Sequence, residues 1–388
     1  MAIEPELATR VRVAHIVPTD HIAYMMRTRL QRLRESGFEI SVICGDRGYG
    51  EKLEECGLQV VHIPFAREIE PWTDLRCARA LLQTLRRGGF DIVHSHNPKG
   101  TLLGPPIGQI ARLPVVVHTV YGFLFNENSS GLHQLLAKAA ERWCARWSDH
   151  LLFQCREDYE YAQTHNYKEK ERLHLLGSGI DERRFDRDRY PQARLEKRRE
   201  LGLAPDDLVV GMVGRLVREK GWEEFYQMAG RIAAQFEQVR FLAVVITEED
   251  QSDALDPQQL MAANGVTDRC LMLEQRQDMP ELYLCMDLAV LPSHREGIPR
   301  ALLEAGAMGV AMAASNIRGC REVIVDGETG MLFGLKHVEE FTDVVLALLR
   351  DTERRRQLGE AGRKHIMDNY TATLANERLV ACYRAFLT

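Results

Sequence analysis

The chain has 388 residues, 45% of them hydrophobic and 27% charged, with a formal net charge of −6. That length suggests two domains, and that balance describes a globular protein with apolar content for two cores. The negative charge argues against general nucleic-acid binding. Charge is also uneven: residues 1–190 hold 26 Lys+Arg against 25 Asp+Glu, a net of +1, and residues 191–388 hold 24 against 31, a net of −7. Nine cysteines, at 44, 56, 77, 144, 155, 270, 285, 320 and 382, form no C-x-x-C pair. They read as free thiols of a reducing cytoplasm. The start MAIEPELATR lacks the apolar core of a signal peptide, and the longest apolar run, LPVVVHTVYGFLF, is too short and too polar to span a bilayer. A cytoplasmic location is expected, with peripheral contact at the inner membrane face left open.

Short apolar runs alternate with longer amphipathic ones. VRVAHIV (11–17) reads as a strand, and HIAYMMRTRLQRLRESG as one helix ending at Gly37. Strands EISVIC (39–44) and LQVVHI (58–63), helix DLRCARALLQTLRRGG and strand DIVHSH (91–96) follow, then PVVVHTV (114–120), a helix near 131–147 and strand HLLFQC (150–155). The pattern fades over 180–206, a charged stretch that is the best linker candidate, and restarts with strands DLVVGMVG (207–214), VRFLAVVI (239–246), CLMLE (270–274) and MDLAVLP (286–292). The last fifty residues read as helical. Continuously apolar strands in β-α-β-α order indicate parallel sheets covered on both faces. The expected architecture is α/β, with two doubly wound domains: 1–185, a linker region at 186–206, and 207–370. His15, His62 and His118 fall within strands and read as core histidines.

Such sheets bind ligands at the carboxyl ends of their strands. No G-x-G-x-x-G follows a strand, and no P-loop, H-E-x-x-H, paired Cys/His set or G-x-S-x-G is present. No metal ligands are therefore assigned. The acid pair of D-R-D (186–188) follows no strand and reads as solvated surface. Two loops stand out. GRLVREKG (214–221) follows a strand and precedes a helix, which places Arg215 and Lys220 where a guanidinium, an ammonium and a helix N-terminus together suit a diphosphate. The second loop is EGIPRALLE (296–304). Pro299 suits a first helical turn, Gly297 and Ile298 offer backbone N–H groups toward an anion, and Glu296 lies outside the helix facing a ligand's hydroxyls. Glu304 lies about two turns in, and a carboxylate accepts two hydrogen bonds from a vicinal diol. Two acids with cations between them describe a nucleotide-sugar site.

The pair GRLVREKG and EGIPRALLE, in this order and spacing, resembles the G-R-L-x-x-E-K-G and E-x7-E elements of the retaining glycosyltransferases of family four. DMPELYLCMDLAVLPSHREG, NIRGCREVIVDGETGMLF, HSHNPKGTLLG and LLGSGIDERRF extend the resemblance over nearly the whole chain. It implies the GT-B fold, two Rossmann-like domains facing a central cleft, with the last helix (about 371–388) returning to the amino domain. It also implies a metal-independent, retaining hexosyltransferase that uses a nucleotide-sugar, UDP-linked above all, as co-substrate and no cofactor. Polysaccharide or glycoconjugate biosynthesis is the implied setting. By resemblance Gly214, Arg215 and Lys220 hold the diphosphate, Glu304 the ribose, Glu296 the transferred sugar, and Gly297, Ile298 and Pro299 line the donor. The acceptor, a saccharide, a lipid-linked sugar or a small molecule, belongs to the amino domain, where His21, His96, Asn97 and Tyr121 are the candidate contacts. The sequence departs from the family in PTDHIAYMM, which has no glycine, and in T-V-Y-G, where Tyr121 replaces a histidine. Those departures keep open a nucleotide-sugar-binding protein with lost or altered activity, and the shared architecture keeps open a GT-B-fold nucleotide-sugar epimerase. Arg27, Arg29, Arg32 and Arg34 are the sequence's candidates for lipid contact.

Overall fold

In a computed structural model, the structure describes residues 10–65, 70–123, 125, 131–246, 255–274 and 276–388, without the side chains of residues 71, 97–101 and 133. The chain divides into two units, Met1–Gly177 with Leu374–Thr388, and Ser178–Thr373.

The first unit follows the chain as β1 (Arg12–Thr19), α1 (Asp20–Met25), α2 (Arg27–Glu35), β2 (Glu39–Gly45), α3 (Gly50–Glu55), β3 (Gln59–His62), α4 (Pro71–Gly88), β4 (Ile92–His96), α5 (Asn97–Ala111), β5 (Val115–Val120), α6 (Gly131–Trp147), β6 (His150–Phe153), α7 (Arg156–Thr164) and β7 (Leu173–Leu175). Its strands are parallel, in the order β3-β2-β1-β4-β5-β6-β7. The order reverses between β1 and β4, so the loops after these strands part and leave a crevice at their carboxyl ends.

The second unit contains α8 (Ala193–Glu200), β8 (Leu208–Arg215), α9 (Trp222–Ala233), β9 (Val239–Ile246), α10 (Pro257–Ala263), β10 (Cys270–Glu274), α11 (Met279–Cys285), β11 (Leu288–Leu291), α12 (Arg300–Ala307), β12 (Ala311–Ser315), α13 (Arg318–Val323), β13 (Met331–Phe333), α14 (Val338–Arg350) and α15 (Thr352–Asn369). Its six parallel strands run β10-β9-β8-β11-β12-β13, and here the order reverses between β8 and β11. Helix α16 (Ala372–Phe386) ends the chain. From Leu374 on it belongs to the first unit, where Leu379 and Tyr383 join the core of Val13, Leu30 and Phe38.

Several expectations change. The first helix is two, interrupted at Met26, whose φ of −88° and ψ of −2° break the regular turn. Strands β7, β12 and β13 were not foreseen: two have three residues each, and β12 is AMAAS, rich in the alanine that strands ordinarily lack. His62 is not a core residue. It lies on β3, the edge of its sheet, and is exposed, with Asp20 and Asp46 carboxylates 3.9 and 3.7 Å away.

The charged run 186–206, read as a linker, is part of the second unit. Arg198 on α8 is 2% exposed. Its guanidinium donates to the carbonyls of Cys285, Ala204 and Asp207 and pairs with Asp287 at 2.7 Å, while Arg194 takes the other Asp287 oxygen at 2.6 Å. The D-R-D acids are also engaged, with Arg363 at 3.1 and 2.9 Å from Asp186 and Asp188. Arg198, which reads as solvated charge in one dimension, is thus structural, while Asp188 remains on the surface. Removing one partner of a buried pair strands the other charge. Arg198→Ala is expected to lower the unfolding free energy by about 3–5 kcal/mol, and exposed Arg199→Ala by no more than about 0.5 kcal/mol. Urea titration of both variants checks this, and equal effects would return the segment to linker status.

Candidate active site

In the second unit the two conspicuous loops meet at the reversal point of the sheet. Strand β8 ends at Gly214 and Arg215, and the chain reaches α9 through a short turn at Arg218–Lys220. Fully buried Trp222 anchors that helix and donates its indole N–H to the Arg215 carbonyl at 2.7 Å, which closes the loop on itself. Gly221 has φ +80°, and a Cβ there would stand 2.1 Å from the Pro292 carbonyl oxygen. Only glycine lets the first loop approach the second so closely.

The second loop is laced to the first at each step. The His294 N–H donates to the Glu219 carbonyl at 2.8 Å, and the Arg295 guanidinium reaches Glu219 at 2.5 Å. His294 Nε2 lies 2.7 Å from Glu224. At the centre, Lys220 Nζ donates to Glu296 Oε1 at 2.6 Å, and buried Ser293 donates to the same oxygen at 2.8 Å. Burial alone would raise the Glu219 carboxyl, but Arg295, Lys220 and Arg215 hold it below its ordinary value. Burial works the same way on Glu224, where His294 outweighs it.

The structure therefore brings Lys220 and Glu296 together. Pro299 is the cap of α12, one residue earlier than the expected first turn, with Gly297 and Ile298 ahead of it. Gly319 on α13 fits against that segment, since a Cβ there would lie 2.2 Å from the Gly297 carbonyl oxygen. Glu304, on α12, accepts from Tyr283 Oη at 3.1 Å and from Arg300 at 3.4 Å. Ser293, His294, Arg295, Glu219, Glu224 and Tyr283 escaped the sequence reading. S-H-R directly before E-G was the available signal.

In the first unit, His96 ends β4 beside the reversal point and shares a 2.9 Å hydrogen bond with half-buried Tyr121. Asn97 opens α5, and its side chain lies outside the described residues. His21 stands on α1 with its ring against Tyr49, 4.9 Å between centroids, and not on His96. Behind Tyr121 runs a buried chain. His96 Nε2 meets His15 Nδ1 at 2.9 Å, His15 Nε2 meets Tyr383 Oη at 3.5 Å, Tyr383 Oη meets His94 Nδ1 at 2.5 Å, and His94 Nε2 meets Thr119 Oγ1 at 2.6 Å. His15, His94 and His96 have the spacing of a metal-ligand trio, yet all six ring nitrogens already have protein partners. The i, i+2 spacing of His94 and His96 was the missed signal, because it puts both rings on one face of a strand.

The family model described as glycosyl transferases group 1 matches residues 193–365, and the glycosyl transferase 4-like domain matches residues 22–179. The chain belongs to the group 1 glycosyltransferases, and its fold is GT-B, with two Rossmann-like units. Among individual relatives, it is 24% identical over 378 residues, 97% of each chain, to the capsular polysaccharide biosynthesis glycosyltransferase CapM of Staphylococcus aureus. It is 27% identical over 349 residues, 88% of this chain and 89% of the other, to the UDP-Gal:alpha-D-GlcNAc-diphosphoundecaprenol alpha-1,3-galactosyltransferase of Escherichia coli. The Anabaena protein HepE, solved in complex with UDP and glucose, superimposes with a TM-score of 0.81 at 18% identity, over 97% of this chain and 100% of that one.

The buried histidines predict a pH dependence. Burial lowers His15 from 6.5 to about 3 and His118 to about 4, and burial with neighbouring imidazoles and Arg29 lowers His94 and His96 well below 6.5. In the unfolded chain these groups titrate near 6.5, so on acidification the unfolded state binds protons first. Their contribution is complete above pH 6.5 and is lost as pH falls toward 4, by up to about 1.4 kcal/mol per pH unit for each group. Urea midpoints at pH 7.5, 6 and 5 check this, and a midpoint independent of pH over that range would contradict it.

Proposed function

We propose that the protein is a retaining, metal-independent glycosyltransferase that moves a sugar from a UDP-sugar to a saccharide or lipid-linked acceptor. Its setting is polysaccharide or glycoconjugate biosynthesis, at the cytoplasmic face of a membrane. The observation that carries this reading is the Lys220–Glu296 pair at the β8/β11 reversal, with Arg215 at the end of β8 and the Gly297–Ile298 segment ahead of α12. The Escherichia coli relative, a UDP-Gal enzyme acting on a diphosphoundecaprenol-linked acceptor, supports the donor and acceptor classes.

The chemical task is departure of a nucleoside diphosphate from an anomeric carbon. Negative charge grows on the leaving phosphate, and fixed cations and N–H dipoles stabilise that charge more in the transition state than in the ground state. Lys220 and Arg215 supply the cations in this reading, so a metal is not needed to neutralise the diphosphate. Glu296 has two tasks. It holds the Lys220 ammonium in place before the donor arrives, and its second oxygen accepts from hydroxyls of the transferred sugar. Glu304, steadied by Tyr283 and Arg300, takes the ribose diol. The second unit thus binds the donor. The first binds the acceptor through His96 and Tyr121, with His21 and Asn97 as further contacts. Retention follows if the acceptor hydroxyl attacks on the face the phosphate leaves, passing its proton to a departing phosphate oxygen.

Two measurements test this. With a panel of UDP- and GDP-sugars and lipid-diphosphate acceptors, transfer is expected from a UDP-sugar, and NMR of the new linkage should show the donor's anomeric configuration. An inverted product removes retention. Donor binding without transfer or hydrolysis would instead favour a binding protein, and sugar-nucleotide isomerisation without acceptor an epimerase. Lys220→Ala should lower kcat about 10²–10³-fold, whereas Lys364→Ala, at an exposed position of α15, should change it less than about twofold. Comparable losses would refute the phosphate role.

A further inference from the structure

Helix α6 is built inside out. The side it turns inward carries the small residues Ala137, Cys144 and Ala145 with Glu141, all buried. Its large apolar residues point the other way: Leu132 is 70% exposed, Leu135 65%, Leu136 63% and Trp143 47%. At about 100° per residue these four fall with exposed Ala139 and Arg146 on one face, and Arg142 and Lys138 flank it on one side. A surface helix ordinarily places its large apolar stripe toward the core. The Arg142 guanidinium lies 5.0 Å over the Tyr167 ring, which keeps that charge beside the crest.

The same layer adds to the feature. Helix α5 packs against both α4 and α6. All three helices follow parallel strands β3, β4 and β5, so they begin at the same edge of the sheet. Trp72, 80% exposed, and Leu75, 62% exposed, in the opening turns of α4 thus stand at the same end of the layer as Leu132, Leu135 and Leu136. The three helices carry eight Lys or Arg against two acids, Asp74 and Glu141, in a chain whose net charge is −6. One of those acids, Glu141, is buried.

We propose that the α4–α6 layer of the first unit is the surface by which the protein docks on an anionic lipid bilayer. A leucine and tryptophan crest flanked by cations matches a helix lying in the headgroup plane, where the apolar crest enters the acyl boundary and the cations meet lipid phosphates. A second copy of the chain fits poorly, since it would set one basic layer against another. The arginines of α2 are not that surface. Both leucines of α2 are buried, Arg27 binds the Tyr24 carbonyl and stacks on its ring, and Arg34 binds the Cys56 carbonyl. The proposal rests on the transferase reading only for its purpose, since a lipid-linked acceptor would be met at such a surface.

The test is co-sedimentation of the full chain, without donor or acceptor, on vesicles of phosphatidylglycerol and phosphatidylethanolamine and on vesicles of phosphatidylcholine alone. Binding is expected to the first, falling with added salt and weak on the second. The triple variant Leu132→Ser/Leu135→Ser/Leu136→Ser and the charge reversal Arg142→Glu/Arg146→Glu should each weaken binding at least about tenfold. Circular dichroism and Tm should stay near the parent's, because the leucines and arginines changed are solvent-facing. A tryptophan emission blue shift on binding, reduced in Trp143→Phe and in Trp72→Phe and lost when both are replaced, would place those side chains in the interface. No binding to either vesicle, or unchanged binding by both variants, overturns the proposal. So does a dimer of the parent in sedimentation velocity that the leucine variant abolishes, because the occupant is then a second copy. Vesicle binding without transfer from any donor would remove the proposed function and leave this surface standing.

Discussion

The second unit is organised by one ion pair. Lys220 and Glu296 are 76 residues apart in sequence, and their side chains are only 17% and 9% exposed. Placing two charges in so dry a position carries a desolvation cost that only good geometry and further hydrogen bonds offset. Both are present, in the 2.6 Å contact and in the Ser293 hydroxyl on the same carboxylate oxygen. The other cross-loop contacts, Arg295 to Glu219 and His294 to Glu224, repeat the device on either side. A crevice at a sheet reversal would otherwise have two independent, mobile walls. Here the walls are fixed to each other, and the Lys220 ammonium is held in position by the fold itself.

The first unit has a different economy. Its parallel sheet hides a chain of hydroxyls and neutral imidazoles from Tyr121 to Thr119. A neutral imidazole has one donor and one acceptor nitrogen. The direction of each bond therefore constrains the next, and the tautomers of His96, His15 and His94 are set together. Buried polar groups arranged this way are costly when any member is missing and specific when all are present. Tyr121, the residue that departs from the family pattern, is the end of the chain nearest solvent.

Much of this was legible in the sequence. Continuously apolar strands alternating with helices gave the parallel sheets, because burial on both faces removes the usual polar alternation. GRLVREKG and EGIPRALLE could be set side by side because both follow strands and precede helices, and the structure joins them through Lys220 and Glu296. What stayed hidden depends on partners distant in sequence. Nothing near Arg198 shows that it is buried on Asp287, so a structural arginine passed for a solvated one. His62 resembled its strand neighbours, and only the strand order shows that β3 is an edge. Alanine-rich β12 carried no strand signal, since its residues are chosen for close packing and not for β-propensity. The proposed roles of Glu296 and Glu304 rested on resemblance; the Lys220 contact and the Tyr283 hydroxyl give those side chains a physical setting.

Tyr383 has a consequence for how the molecule is made. It stands 289 residues beyond His94, yet it supplies the hydroxyl that links His94 to His15 in the core of the first unit. Domains ordinarily fold in the order in which they leave the ribosome. This amino-terminal sheet can assemble early, but its polar interior lacks one member until the final helix is synthesised. A chain cut short before Tyr383 therefore carries its defect not at the cut but in the amino-terminal sheet, where His94 and His15 lose the hydroxyl between them.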